Sequence, residues 1–263
     1  VIAIDPTSLR SRGAILGDKT RMSELSMMPD AFVRPCAAGA GHLGGLALHS
    51  DEVVLLCEAA GYDMVLIETV GVGQSETLVT EIADMCVLLL PPAGGDELQG
   101  IKRGIVETAH LVVVNKADGD MEMAAKRALS DYSAALQVMH SHGATAAAAS
   151  QDNKVEVWHP KVVMASAATG LGVADICKML FEFRDIQRQR GDLTRLRAEQ
   201  RGAWMWRKAE DDLVKKLRAH VAVREQACRL TLALGRSEMS SRAAGRELVK
   251  TFVSALATPS QHP

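Results

Sequence analysis

The chain has 263 residues, enough for one α/β domain and a helical extension, and its 48% hydrophobic content is normal for a globular protein. Its net charge of −2 gives no basis for binding a nucleic-acid backbone, and no apolar run approaches the roughly 18 residues needed to cross a bilayer. We therefore expect neither a nucleic-acid nor a membrane partner. The five cysteines include no CxxC pair, which argues against a structural zinc site or a disulfide framework.

Five short apolar runs rich in β-branched residues predict buried strands. They are, in chain order, Val1–Ile4, Met64–Ile67, Cys86–Leu90, Leu111–Val114 and Lys161–Met164. Helix-length stretches lie between them, such as Ser50–Ala60, Glu97–Ala109 and Met121–His140. Continuous apolar runs that alternate with helices are typical of a parallel sheet covered on both faces. The sequence therefore predicts a doubly wound α/β domain over residues 1–185, with ligands at the carboxyl ends of the strands.

The rest of the chain predicts a surface insertion and a helical extension. Residues 141–154 are rich in alanine, and we interpret them as an insertion between a helix and the next strand. From about Phe181 the strands stop, and Gly191 and Gly235 are expected to separate amphipathic helices. These predicted helices are Phe181–Ala219, Val221–Leu234 and Glu238–Ala257. We assign residues 186–263 to a C-terminal extension that dimerises.

The sharpest local motif is Asn115-Lys116-Ala117-Asp118, directly after the predicted strand Leu111–Val114. NKxD is the guanine-reading motif of G proteins. Asp118 can accept hydrogen bonds from the ring N–H and the exocyclic amine of guanine, a donor pair that adenine does not present. Asn115 would tie neighbouring loops together, and the stem of Lys116 would lie over the base. The plainer interpretation is an Asx-rich turn that ends a strand.

A second short motif follows the last predicted strand. Ser166 and Ala167 come directly after the run Lys161–Met164. They fit the last G-protein motif, in which a backbone N–H contacts the guanine oxygen. The pair means little alone, and its value comes from its position after NKxD.

Acidic residues and glycines follow two other predicted strands. Glu68 follows the run Met64–Ile67, and an acidic residue at a strand end holds Mg²⁺ or its water in nucleotide hydrolases. Gly71 can offer its N–H to a γ-phosphate. Asp5 ends the first strand and Asp18 lies in a glycine-containing loop, so both could reach a metal at the same sheet edge. A glycine-rich turn and capping or solvated aspartates are the plainer alternatives.

Three longer stretches resemble the MeaB/ArgK family of G proteins, which includes the mitochondrial protein linked to methylmalonic aciduria. They are Ile15–Met22, Glu68–Glu76 and Pro91–Gly104. The resemblance implies a P-loop G-domain fold, with a mostly parallel sheet flanked by helices, and GTP/GDP and Mg²⁺ as ligands. It implies a GTPase that gates adenosylcobalamin loading and protection of methylmalonyl-CoA mutase. It also implies a homodimer, in the mitochondrial matrix of a eukaryote or the cytoplasm of a bacterium.

The resemblance implies roles at matched positions. Asp5, Asp18 and Glu68 correspond to acidic positions around Mg²⁺, and Glu68 belongs to the implied catalytic set with Gln74 and Lys102. Lys102 matches a lysine implicated in activated hydrolysis, and a mobile cation over the phosphates would act as an arginine finger does. The implied nucleotide switch and partner switch contain Val72, Gly73, Gly94, Gly95, Asp96, Glu97 and Gln99.

The phosphate-binding motif of this class, GxxxxGK[ST], has no match in the sequence. In family members it lies upstream of the strand that opens here, so the loop and the first strand of the sheet would precede Val1. We therefore expect a fragment of a longer protein, with a gap in the sheet that exposes two apolar strand edges. Residues 1–263 alone should be poorly soluble and inactive, and should bind GTP weakly or not at all. Micromolar affinity of residues 1–263 for GTP would contradict this expectation.

Two alternatives to the GTPase stay open. One is a non-catalytic G-domain remnant that binds the mutase without hydrolysing nucleotide. The other is an ATP-driven accessory of amino-acid transport, an older description of ArgK relatives. The NKxD motif weighs against the second alternative.

Overall fold

The computed structural model describes residues 1–5, 22–37, 49–69, 80–92, 103–147 and 156–257. Its strands are β1 (Ile2–Asp5), β2 (Arg34–Ala37), β3 (Ile67–Thr69), β4 (Val87–Leu90), β5 (Leu111–Val114) and β6 (Lys161–Met164). Its helices are α1 (Ser23–Met27), α2 (Ser50–Ala59), α3 (Arg103–Thr108), α4 (Glu122–Ala147), α5 (Val173–Gln189), α6 (Asp192–Ala219), α7 (Val221–Gly235) and α8 (Ser241–Ala257). A 3₁₀ turn, Gly119–Met121, precedes α4. Parallel strands flanked by helices and a helical C-terminal part confirm the predicted fold class.

The described strands form two three-stranded parallel sheets, in the orders β2-β1-β3 and β4-β5-β6. Among the described residues no pairing joins β3 to β4. Leu66 beside β3 is 50% exposed, and Leu89 in β4 is 64% exposed. Apolar side chains are therefore open to solvent at both of these strands.

The core of the second sheet is built on β5, whose four residues are all buried. Val112 packs on one side with Leu90 and Leu136, and Val113 packs on the other side with Ala165 and Ile176. Successive side chains of a strand point to opposite faces, so a strand covered on both faces needs a continuous apolar run. Each fully buried aliphatic side chain here stabilises the fold by roughly 1.5–3 kcal/mol.

The sequence prediction was wrong for two strands. β3 spans Ile67–Thr69 rather than Met64–Ile67, so Glu68 lies within the strand and not after it. Pairing with β1 sets the position of this strand: Ala3 lies opposite Glu68 in the register of the two strands. β2 was not predicted because it contains Pro35, which lacks a backbone N–H. Among the described strands β2 pairs only with β1, and an edge position tolerates proline.

The helix boundaries also differ from the prediction. α4 extends to Ala147, past the predicted helix end at His140 and into the predicted insertion, whose residues 148–154 lie outside the described residues. Alanine is the strongest helix former, so an alanine-rich stretch extends a helix that has already begun. α5 begins at Val173, before the predicted Phe181. The predicted break at Gly191 is confirmed, with a φ of +72° that favours glycine.

The chain divides into two compact units, Val1–Arg201 and Gly202–Pro263. The sequence predicts the boundary after residue 185, where the predicted strands stop. The first unit reaches further because Arg197 of α6 donates hydrogen bonds to both carboxylate oxygens of Asp84, at 2.8 and 2.6 Å. Arg197 also pairs with Glu58 of α2 at 3.0 Å. The Asp84 hydrogen bonds and then the two negative charges raise the pKa of the Arg197 guanidinium, which stays charged throughout the accessible pH range.

Within the second unit, Trp204 and Phe252 are buried, and the ring of His220 meets that of Phe252 edge-on at 5.8 Å. α8 exposes a stripe of three apolar side chains at spacings of four and three residues, which places them on one face of the helix. They are Val249, Val253 and Leu256, with exposures of 52%, 58% and 65%. No helix in the described part of the chain is both long and apolar enough to cross a membrane.

His110, just before β5, is a partly buried titratable side chain. Its Nδ1 accepts a hydrogen bond from the backbone N–H of Cys86 at 3.0 Å, and its ring packs edge-on against Phe183 at 4.9 Å. Trp158 packs against the same phenyl ring at 5.4 Å, and its indole N–H donates to the carbonyl of His110 at 3.0 Å. Burial lowers the pKa of His110, because this setting disfavours the charged imidazolium.

We expect the free energy of unfolding to decrease as the pH falls below about 6.5, because the unfolded chain then binds a proton that folded His110 does not. His110→Asn keeps an acceptor near the Nδ1 position and does not titrate. The variant should therefore lose the part of the pH dependence that His110 contributes. Urea denaturation between about pH 8 and pH 5.5 measures the effect. The same pH dependence in both proteins would contradict the prediction.

Candidate nucleotide-binding site

The loop that follows β5 contains the motif Asn115–Asp118. The N–H of Asn115 donates to the carbonyl of Leu90 at 2.9 Å, and the N–H of Ala117 donates to the carbonyl of Ala165 at 3.0 Å. Neighbouring strand ends therefore hold the loop on both sides. Lys116 between them has a φ of +60°, in the left-handed region. A non-glycine residue held there costs roughly 1 kcal/mol or more, and such strain concentrates at ligand sites.

The loop that follows β6, residues 166–172, is organised by one buried serine. The Oγ of Ser166 accepts a hydrogen bond from the N–H of Thr169 at 3.2 Å. The backbone carbonyl of Ser166 accepts a hydrogen bond from the N–H of Gly170 at 2.9 Å. The N–H of Ser166 donates to the carbonyl of Leu171 at 2.9 Å. These three bonds close the loop on itself, so its shape is determined before any ligand binds.

Asn115 joins the two loops. Its Oδ1 accepts a hydrogen bond from the N–H of Ala167 at 3.1 Å, across 52 residues of sequence. This contact is the tie between neighbouring loops that the motif predicts. The same contact engages the Ala167 N–H, which the G-protein motif would offer to the guanine oxygen. In this structure that donor is bonded within the protein.

An open cleft of about 570 Å³ lies between the two loops. Its lining combines two carboxylates with small and apolar groups, from Ala117, Asp118, Glu122, Met164, Thr169, Gly170 and Leu171. Asp118 occupies the N-cap position of the 3₁₀ turn, but its side chain makes no capping hydrogen bond. A simple Asx turn would use the carboxylate in that way. Asp118 therefore lines the cleft without capping the turn that it begins.

Glu122, the second carboxylate of the cleft, was not recognised in the sequence. It lies in the first turn of α4, and the Nζ of Lys126 donates to its Oε1 at 2.6 Å. The hydrogen bond and the charge of Lys126 lower the pKa of Glu122, so this carboxylate is ionised at neutral pH. A Glu four residues after Asp118, followed by a Lys at i+4, was the pattern that could have revealed it.

Two of the predicted metal ligands lie on neighbouring strands of the first sheet. Asp5 ends β1, and Glu68 is an exposed residue of the parallel strand β3. The carboxyl ends of parallel strands meet at one sheet edge, so these chain positions are close to each other. Carboxylate oxygens are the ligands that Mg²⁺ prefers, which makes this pair chemically suitable. Within the described residues no three His, Cys, Asp or Glu side chains form a metal-binding group.

The remaining predicted site residues fall outside the described residues, as does the side chain of Asp5. They are Asp18, Gly71, Val72, Gly73, Gln74, Gly94, Gly95, Asp96, Glu97, Gln99 and Lys102. Their roles stay predictions.

A parallel α/β domain with NKxD after a buried strand, and with a second loop tied to the Asn of that motif, defines the G-domain class of proteins. Comparison with known proteins gives the particular family. Residues 1–222 match the family described as methylmalonyl Co-A mutase-associated GTPase MeaB. The chain belongs to the MeaB family, which confirms the resemblance noted in the sequence.

Individual relatives agree with this assignment. The chain is 42% identical to the methylmalonic aciduria type A homolog, mitochondrial, of Mus musculus over 97% of its own length and 58% of that protein. It is 42% identical to a putative GTPase of Caulobacter vibrioides, over 96% of its own length and 73% of the relative. The crystal structure of an LAO/AO transport system kinase has a TM-score of 0.61 and 31% identity, over 96% of this chain and 70% of that one. The chain thus spans less than two thirds of the mouse protein.

Proposed function

We propose that the protein is a Mg²⁺-dependent GTPase that hydrolyses GTP to GDP and phosphate and acts on methylmalonyl-CoA mutase. In this proposal hydrolysis gates the loading of adenosylcobalamin and the protection of the mutase. Membership of a family described as mutase-associated GTPases supports the partner. The observation that carries the nucleotide assignment is Asp118, whose carboxylate lines the cleft without capping the turn that it begins.

Base recognition follows from the two loops. Asp118 would accept hydrogen bonds from the ring N–H and the amine of guanine, and Lys116 would cover the base with its stem. Asn115 holds the second loop through the N–H of Ala167. For Ala167 or Ser166 to bind the guanine oxygen, a bound nucleotide would have to replace one of these internal bonds.

The phosphate end of the site is assigned to the edge of the first sheet. Asp5, Asp18 and Glu68 would hold Mg²⁺, which when bound offsets the negative charge of the phosphates. Gly71 would contact the γ-phosphate, and Gln74 and Lys102 would act with Glu68 in hydrolysis. Gly94–Lys102 would respond to the mutase.

The helical C-terminal extension is proposed to dimerise. The stripe of Val249, Val253 and Leu256 on α8 supports this, because exposed apolar side chains on one helix face are typical of a helix that packs against a partner. The mitochondrial matrix is the proposed compartment in a eukaryotic host, and the cytoplasm in a bacterial one.

The product of the complete gene tests the proposal. We expect it to bind GDP at least about a hundredfold more tightly than ADP, because only guanine presents the donor pair that Asp118 accepts. Fluorescent nucleotide titration measures the two affinities, and phosphate release with and without the mutase measures hydrolysis. A preference for ADP would overturn the guanine assignment and favour the transport accessory.

A non-catalytic mutase-binding module is the second candidate. This candidate keeps the guanine-reading loop and the mutase as partner but hydrolyses no nucleotide. Binding of GDP and of the mutase, with no phosphate release from GTP under any of these conditions, would identify this module.

A further inference from the structure

We propose that Glu122 is a specificity-determining residue, which accepts a hydrogen bond from the 2-amino group of a guanine in the cleft. The inference rests on the proposed function and deepens it. It gives the cleft a second contact to the group that distinguishes guanine from hypoxanthine.

The chemistry of guanine leaves one donor without a partner in the motif. The 2-amino group carries two protons, and Asp118 can accept only one of them if it also accepts the ring N–H. The other proton needs a second acceptor or a water molecule. Glu122 is the second carboxylate among the residues that line the cleft.

Local structure keeps Glu122 close to Asp118. The N–H of Met121 donates to the carbonyl of Asp118 at 3.1 Å, which closes the 3₁₀ turn between the two acidic residues. Glu122 then begins α4, one helical turn before Lys126. The short separation fixes both backbones relative to each other, so both side chains can contact one base.

Lys126 makes the second carboxylate tolerable in this position. Two carboxylates on one cleft repel each other, and a cation bonded to one of them at 2.6 Å offsets this repulsion. The same bond restricts the rotamers of Glu122 and leaves its second oxygen to accept from a ligand. The amino group of guanine would then meet two acceptors, the carboxylate of Asp118 and the second oxygen of Glu122.

The test compares GDP with IDP, whose hypoxanthine base has the ring N–H but no 2-amino group. Glu122→Met removes the acceptor and keeps a side chain of similar length. In the product of the complete gene we expect this change to lower the affinity for GDP about five- to tenfold and the affinity for IDP by less than about twofold. Glu122→Gln retains one neutral acceptor oxygen and should give an intermediate loss for GDP alone.

Asp120→Asn is the matched control. Asp120 is an exposed carboxylate of the same 3₁₀ turn and is not among the residues that line the cleft, so its change should alter neither affinity. Equal losses of GDP affinity in Glu122→Met and Asp120→Asn would show that the loss of one negative charge near the cleft explains the effect, and would overturn the inference. An unchanged GDP-to-IDP ratio in Glu122→Met would also overturn it, although the proposed function would stand. If the unaltered protein failed to prefer GDP over ADP, the proposed function itself would be wrong.

Discussion

Gly172→Ala is expected to lower the free energy of unfolding by about 3 kcal/mol or more, since it combines backbone strain with a clash. Gly172 precedes α5 with a φ of +75°, a region that residues with a side chain rarely adopt. A Cβ at this position would lie 2.4 Å from the carbonyl oxygen of Met164. Met164 ends β6, and a strand end held by its neighbours has little freedom to move. The added methyl group must therefore displace the loop of residues 166–172.

Gly191→Ala separates the two contributions. Gly191 has a similar φ of +72°, but a Cβ there would meet no atom within 4 Å. It should therefore cost only the strain of the left-handed conformation, about 1 kcal/mol. Urea denaturation of both variants measures the difference. Equal losses of stability would show that the close approach to Met164 contributes nothing.

The strands that sequence predicts best are those whose environment is uniform. Leu111–Val114 and Lys161–Met164 begin and end as predicted, because helices cover both faces of the second sheet and its strands need continuous apolar runs. The first sheet is different. Pro35 in β2 argues against a strand when the sequence is read alone, and the register of β3 depends on pairing with β1. Neither strand could therefore be recognised from the local sequence pattern.

The candidate nucleotide site shows the same contrast between residues that local sequence identifies and residues that it does not. The role of Asn115 could be predicted because NKxD is contiguous, and its contact with Ala167 lies where the motif places it. Neither Glu122 nor Gly172 was recognised in the sequence, because their contacts form only in the folded chain: Glu122 lines the cleft, and Gly172 lies against the carbonyl of Met164. A carboxylate at the start of a helix is ordinary in sequence, and a glycine before a helix equally so. The cleft distinguishes Glu122 from many similar residues, and the close approach to Met164 distinguishes Gly172.

Asp118→Asn is expected to lower the affinity for GDP by about a hundredfold or more and to raise the affinity for XDP. The change replaces two hydrogen-bond acceptors with one acceptor and one donor. Guanine presents two donors to this position, so the new amide N–H₂ would face the 2-amino group. Xanthine presents its ring N–H and a carbonyl oxygen at position 2, and the amide can pair with both. Asparagine has nearly the same volume as aspartate, and the carboxylate makes no capping bond whose loss could disturb the turn.

Comparing the affinities for the two nucleotides distinguishes a change in base recognition from a loss of loop structure. If Asp118 recognises the base, the ratio of GDP to XDP affinity should reverse while the urea midpoint stays close to that of the unaltered protein. If Asp118 only supports the loop, both nucleotides should weaken together and the midpoint should fall. Because Asp118 and Glu122 line one cleft, Asp118→Asn combined with Glu122→Met gives a further result. Glu122 would repel the position-2 oxygen of xanthine. Its removal should therefore strengthen the binding of XDP in the double variant, whereas in the Glu122→Met single variant it should weaken the binding of GDP.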